Sequence, residues 1–209
     1  MRKKERQEII LKELEKEYKG QDTALNYSST FELLVAVILS AQCTDERVNK
    51  ITARLFPKYN TPEKMYKLTQ GQLEKLIHDC GLFHAKAKNL LGACKKLIAD
   101  YNSEIPETVE EIMTLPGAGR KTANVVVSVA FGKPAIAVDT HVFRVSKRLG
   151  LAKGEDPLAV EKELQKNIPQ AKWGEAHHWL IWHGRKICKA RKPACSECVV
   201  VDVCPSRNI

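Results

Sequence analysis

Apolar residues recur along this chain at the three-and-four spacing that lines one face of a helix, and the pattern reads as almost wholly helical. Ile10, Leu11, Leu14 and Tyr18 mark one face of a first helix. Ser29 and Glu32 form a capping-box signature that opens a second. That second helix, Thr30 to Leu39, is apolar nearly all round, which suits a central buried helix better than a surface one. Val48, Ile51, Thr52, Leu55 and Phe56 define a third, ending before Pro57. Thr61-Pro62 starts a short helix, and Thr69 with Gln72 starts another that ends near Gly81. Ala87, Leu90, Leu91, Cys94, Leu97, Ile98 and Tyr101 line a longer one. Thr108 with Glu111 opens a further helix, and Asp156-Pro157 and Gly174-Glu175 start the last two long ones. The expectation is an all-α protein without internal repeats, low-complexity segments or long linkers.

The stretch from Leu115 to Leu149 reads as helix, tight hairpin, helix, turn, helix. Pro116 followed by Gly117 and Gly119 gives a turn with two positions free to take positive φ, so that backbone N–H groups can point at a phosphate. Lys121 falls in the first turn of the next helix, where the positive end of the helix dipole disfavours an ammonium and lowers its pKa. That makes an amine a nucleophile. The alternative for Lys121 is a phosphate contact at a helix N-terminus, the role expected of Arg120 beside it. Asp139, before Thr140-His141-Val142-Phe143, is a good N-cap, worth roughly 1 kcal/mol. A cap and a catalytic carboxylate are compatible.

With 209 residues and 44% apolar composition, the chain suits one large domain or two small ones with a real core. Its net charge of +9 favours an anionic partner. Arg120, Lys121, Lys133, Arg144, Lys147 and Arg148 stand against Asp139 alone between Leu115 and Gly150, and Arg185, Lys186, Lys189, Arg191 and Lys192 fall in a second basic segment. Two such segments beside a phosphate-binding turn point to nucleic acid rather than membrane, the alternative being a solvated basic face. Met1 to Lys19 is charged throughout and reads as no signal peptide, and no apolar run approaches the roughly 20 residues that span a bilayer. A cytoplasmic protein is expected. Seven cysteines in a reducing compartment indicate metal binding or burial rather than disulfides. Cys188, Cys195, Cys198 and Cys204 follow the spacing C-x6-C-x2-C-x5-C. Four thiolates so close repel unless a metal neutralises them, and sulfur-only ligation leaves zinc and a 4Fe-4S cluster both open. Cys43, Cys80 and Cys94 read as packed thiols. Trp179 and Trp182, at i, i+3, read as core, and His177, His178 and His183 as structural.

The hairpin segment, Ser29 to Asp45, Gly81 to Asn89, Val138 to Arg144 and the last four cysteines together resemble the helix-hairpin-helix DNA glycosylase superfamily, in its bacterial endonuclease III branch. The likeness spans nearly the whole chain. It implies two helical lobes with a DNA-binding cleft between them, one a six-helix domain over residues 22–132 and the other combining residues 1–21 with 133–209. Lys121 and Asp139 would be catalytic, at the mouth of the cleft. Gly117, Gly119 and Arg120 would contact DNA, as would Arg191 and Lys192 in the loop of a 4Fe-4S cluster held by the four cysteines. Gln42 and Leu82 match positions that enter DNA from opposite sides, although on their own they read as a helix-end hydrogen bond and an ordinary core leucine. Relatives resembling the adenine-specific mismatch glycosylases lack the lysine and carry a further C-terminal domain, which is not expected of a chain ending at Ile209.

The resemblance thus implies a monomeric, nucleoid-associated enzyme acting on damaged double-stranded DNA. It would be a bifunctional DNA N-glycosylase and abasic-site lyase that excises oxidised pyrimidines and cleaves 3′ to the abasic site by β-elimination. Departures are small: Ala118 stands where relatives often have valine, Phe83 where they have tyrosine, and Ala194 where some are basic, with Lys189 the compensating candidate. The other readings are a glycosylase for mismatched or alkylated bases and a non-catalytic DNA-binding or redox-sensing protein.

Overall fold

The helix that the sequence makes apolar on every side is the centre of one compact unit, Ala24–Phe131, in a computed structural model that describes residues 1–207. In α2 (Thr30–Leu39) every residue from Phe31 to Leu39 is buried, and the Ser29 hydroxyl caps the helix by accepting from the Glu32 N–H. The expected capping box closes one residue further back. Glu32 Oε2 accepts from the Ser28 N–H at 2.6 Å, which satisfies a carboxylate only 5% exposed. Against α2 pack α3 (Asp45–Leu55), α6 (Phe83–Asp100) and α8 (Arg120–Phe131). The shorter α4 (Pro62–Tyr66) and α5 (Gln70–Ile77) pack on α6, and α5 carries the complete Thr69–Gln72 capping box. A single-turn α7 (Val109–Ile112), capped by Thr108, precedes the hairpin and packs on α8. Among the described residues this unit holds the seven helices α2 to α8, where the resemblance implied six.

The second unit is built from both ends of the chain, Met1–Thr23 and Gly132–Ile209. Ile10, Leu14 and Tyr18, on or just after α1 (Lys3–Glu17), share a core with Val142 and Val145 of α9 (Thr140–Arg148), Val160 and Leu164 of α10 (Pro157–Asn167), and Trp179 and Leu180 of α11 (Trp173–Lys186). Gly184 lets α9 and α11 cross closely, since a Cβ there would lie 3.0 Å from that of His141. Trp173 and Trp182 are partly buried against this core, their indole N–H groups donating to Ile168 O and Asp22 O. Among the described residues the fold is all-α, and no helix is long and apolar enough to cross a membrane.

Candidate functional site

The hairpin is fixed by how its turn presses on α6. Gly117 has φ +83°, and a Cβ there would lie 2.9 Å from Asn89 Cβ. Gly92, inside α6, provides the matching recess: a Cβ at that position would come within 3.1 Å of Pro116 Cγ. A helix-interior glycine costs about 1 kcal/mol relative to alanine, and the seating of Pro116 accounts for it. Gly119 departs from expectation, because only Gly117 of the two uses positive φ. Its carbonyl accepts the Ala123 N–H at 2.9 Å, which starts α8, and the space where a side chain would stand is open. Arg120 and Lys121 are the first two residues of that helix. Lys121 is exposed while Thr122 to Val127 behind it are buried. Within α8 itself, no acidic residue stands in the first turn.

Gln42 and Leu82 occupy two turns of the same unit, both in the left-handed region at φ 52° and 59°. Leu82 is 58% exposed, which removes the reading of it as a core residue. Its conformation makes it the N-cap of α6, without a side-chain cap hydrogen bond. The two turns touch: a Cβ on Gly81 would lie 3.4 Å from Gln42 O. Cys80 and Cys94 are buried, as packed thiols should be, and burial pushes Cys94 up to about 12.

In the other unit, Asp139 is half-buried and caps α9, Oδ1 accepting the Val142 N–H at 2.7 Å. Two arginines counted in the sequence as charge for a nucleic acid are engaged elsewhere. Arg144 donates to Cys188 O and Gly184 O, and Arg148 to Lys189 O and Ala190 O. One turn apart on α9, they hold the loop that contains Arg191 and Lys192. Both of those residues are exposed, and Lys192 has φ 50°.

The four C-terminal cysteines line one small cavity, open to solvent, with Leu149, Ile187, Pro193 and Val201 among its apolar walls. Among the described residues, no three His, Cys, Asp or Glu side chains converge tightly enough for a single metal ion. Four thiols around one cavity fit the sulfur-only ligation of an iron-sulfur cluster. Burial, and secondarily the neighbouring cysteines, push the Cys198 and Cys204 thiols up. Arg148 lies 3.5 Å from Cys188 Sγ. His183 is fully buried, which lowers it to about 4 and keeps it neutral. Its Nδ1 is 3.0 Å from Tyr18 Oη and its Nε2 3.6 Å from Cys198 Sγ. The tautomer that serves both accepts from the tyrosine and donates to the sulfur. His183 is therefore structural in a specific sense: it ties α1 to the cysteine loop.

Residues 35–170 match the HhH-GPD superfamily of base excision DNA repair proteins, and residues 188–204 match the iron-sulfur binding domain of endonuclease III. Endonuclease III of Synechocystis is 49% identical over 205 residues, covering 98% of this chain and 94% of that protein. Endonuclease III of Escherichia coli K12 is 47% identical over 204 residues, covering 98% and 96%. A solved structure of a trapped endonuclease III–DNA covalent intermediate superposes with a TM-score of 0.94 at 49% identity, covering 99% of this chain and 97% of that one. The chain belongs to the HhH-GPD superfamily of base excision DNA repair proteins and, within it, to the endonuclease III family.

Proposed function

We propose that this protein is a bifunctional DNA N-glycosylase and abasic-site lyase that removes oxidised pyrimidines from duplex DNA and cleaves 3′ to the site by β-elimination. The observation that carries the reading is Lys121, an exposed amine in the first turn of α8, directly after a phosphate-binding hairpin. Its neutral amine attacks C1′, forming a C–N bond as the glycosidic bond breaks and the base leaves with a proton. The C1′–O4′ bond then opens, O4′ taking up a proton, to leave an iminium between Lys121 and C1′; the iminium acidifies the C2′ proton, and loss of that proton expels the 3′ phosphate. Water then frees the lysine. Asp139 stabilises the positive charge that develops at C1′ and helps take the lysine proton.

Gly117, Gly119 and Arg120 hold the DNA backbone through the hairpin, and Arg191 and Lys192 hold it through the cysteine loop. Gln42 and Leu82 fill the gap left by the extruded nucleotide. Cys188, Cys195, Cys198 and Cys204 hold a 4Fe-4S cluster, which fastens the loop that carries Arg191 and Lys192. The protein acts as a monomer on damaged double-stranded DNA, in the cytoplasm and associated with the nucleoid. Borohydride trapping tests the chemistry: wild type should form a covalent protein–DNA complex, and Lys121→Gln should bind DNA yet lose both trapping and strand cleavage. Undiminished trapping by Lys121→Gln would assign the nucleophile to another amine. Base release by the wild type without any trapping would make water the nucleophile.

A further inference from the structure

Lys86, the fourth residue of α6, is only 5% exposed. Its ammonium donates to Leu39 O at 2.9 Å, to Ala41 O at 2.6 Å and to Cys80 Sγ at 2.9 Å. Three N–H donors thus meet three acceptors, none of them a carboxylate. Two are carbonyls at the end of α2, immediately before Gln42, and the third lies two residues before Leu82. Cys80 Sγ also donates to Leu39 O at 3.2 Å. One buried cation therefore joins the turn that carries Gln42 to the turn that carries Leu82. Desolvating an ammonium is costly, and an apolar side chain of similar length would fill the space without that cost. The negative end of α2 offsets part of it, and what the cation adds over an apolar residue is a fixed spacing between the two turns.

We propose that Lys86 is a positioning residue for base excision, holding the Gln42 and Leu82 turns at the spacing needed for both side chains to enter the stack as the damaged nucleotide leaves. The proposal rests on the reading of Gln42 and Leu82 as DNA-inserting residues. Extruding a stacked base depends on that spacing, whereas β-elimination at a preformed abasic site has no base to extrude. Lys86→Met should slow single-turnover base release about 10- to 100-fold, the scale expected of a misplacement near 1 Å. Strand cleavage at a preformed abasic site should change little, as should the visible absorption of the cluster.

A duplex with 2-aminopurine opposite an oxidised thymine reads the insertion step directly, because unstacking raises its emission. Lys86→Met should lose that rise as Leu82→Gly does, and the double variant should be no worse than Leu82→Gly alone. Wild-type emission and base release in Lys86→Met, or effects that add in the double variant, would overturn the positioning role. Loss of both activities to the same extent would mark Lys86 as merely structural and overturn it equally. An unchanged emission rise in Leu82→Gly would instead overturn the insertion reading itself. If Lys86→Met does not fold, hydrogen exchange of the wild type decides. The amides of Cys43 and Cys80, bonded to Ser40 O and Ile77 O, should open together and be slowed together by an abasic-site duplex, and independent opening would reject the link.

Discussion

Asp139 caps α9 and is proposed to act in catalysis, and the two roles predict different consequences of losing its charge. Its Oδ1 accepts from Val142 N–H at 2.7 Å at the start of α9, and α9 has no acidic residue in its first turn. Removing a cap of this kind costs about 1 kcal/mol, whereas Asn caps about as well as Asp. The charge itself interacts with the helix dipole for roughly 0.3–1 kcal/mol. Asp139→Asn should therefore lower stability by under about 1 kcal/mol, and Asp139→Ala by about 1–2 kcal/mol. In a chain of this size that is a fall in Tm of roughly 2–4 °C per kcal/mol. Loss of a positioned catalytic carboxylate costs far more, typically about 10²- to 10⁴-fold in rate. Thermal unfolding followed by circular dichroism, with single-turnover base release from an oxidised-thymine duplex, separates the two scales. Asp139→Asn should be nearly as stable as wild type and at least about 100-fold slower. Base release within about threefold of wild type, on the other hand, corresponds to well under 1 kcal/mol, and the carboxylate would then be a cap and nothing more.

Gly117→Ala forces a side chain into the left-handed region against Asn89, so it should cost about 1–3 kcal/mol and lower Tm by several degrees in a melting curve. Gly119→Ala meets nothing within 4 Å; its stability should stay within about 0.5 kcal/mol while affinity for an abasic-site duplex falls in a fluorescence-anisotropy titration. Cys198→Ala should abolish the brown visible absorption and make residues 132–207 susceptible to limited proteolysis, because cluster binding and folding of the loop are coupled; stoichiometric zinc without iron or sulfide in the wild type would reject the cluster. Lys192→Ala should reduce the slope of log affinity against log salt by about 0.9 if the residue neutralises one phosphate, and an unchanged slope removes it from the interface.

What the sequence made legible was what is local in the chain. The capping residues Ser29, Thr69, Thr108 and Asp156 each bond to a backbone N–H three positions on, a relation complete within four letters. The all-round apolar run of α2 likewise needs no knowledge of its neighbours to be read as buried. Partners distant in sequence were the ones missed. Arg144 and Arg148 looked like two more cations for a nucleic acid, yet their acceptors are carbonyls of residues 184–190, some 40 positions away. Backbone carbonyls have no signature in a sequence, so nothing local distinguished these arginines from Arg120. Lys86 escaped notice for the same reason, and Gly92 because the contact that explains it is Pro116. The i, i+4 spacing of Arg144 and Arg148 on one helix face was the available signal.

Backbone strain marks the proposed interface independently of charge. Among the described residues, the non-glycine positions with positive φ are Gln42, Leu82, Asn102, Ser103 and Lys192, and the family resemblance implies DNA contacts for three of these five. A left-handed conformation costs a branched or long side chain roughly 1–2 kcal/mol, and it persists only where the surroundings over-determine it. At residues 42 and 82 those surroundings are visible in the buried Lys86 ammonium and the contact of Gly81 with Gln42 O. At residue 192 they include the backbone bond from Ala194 N–H to Ile187 O and the two arginines that grip residues 188–190. The folded protein thus bears the cost of these conformations before any DNA arrives. If Gln42, Leu82 and Lys192 contact DNA as proposed, binding has less ordering left to do, because the packing within each unit has already set their backbone conformation.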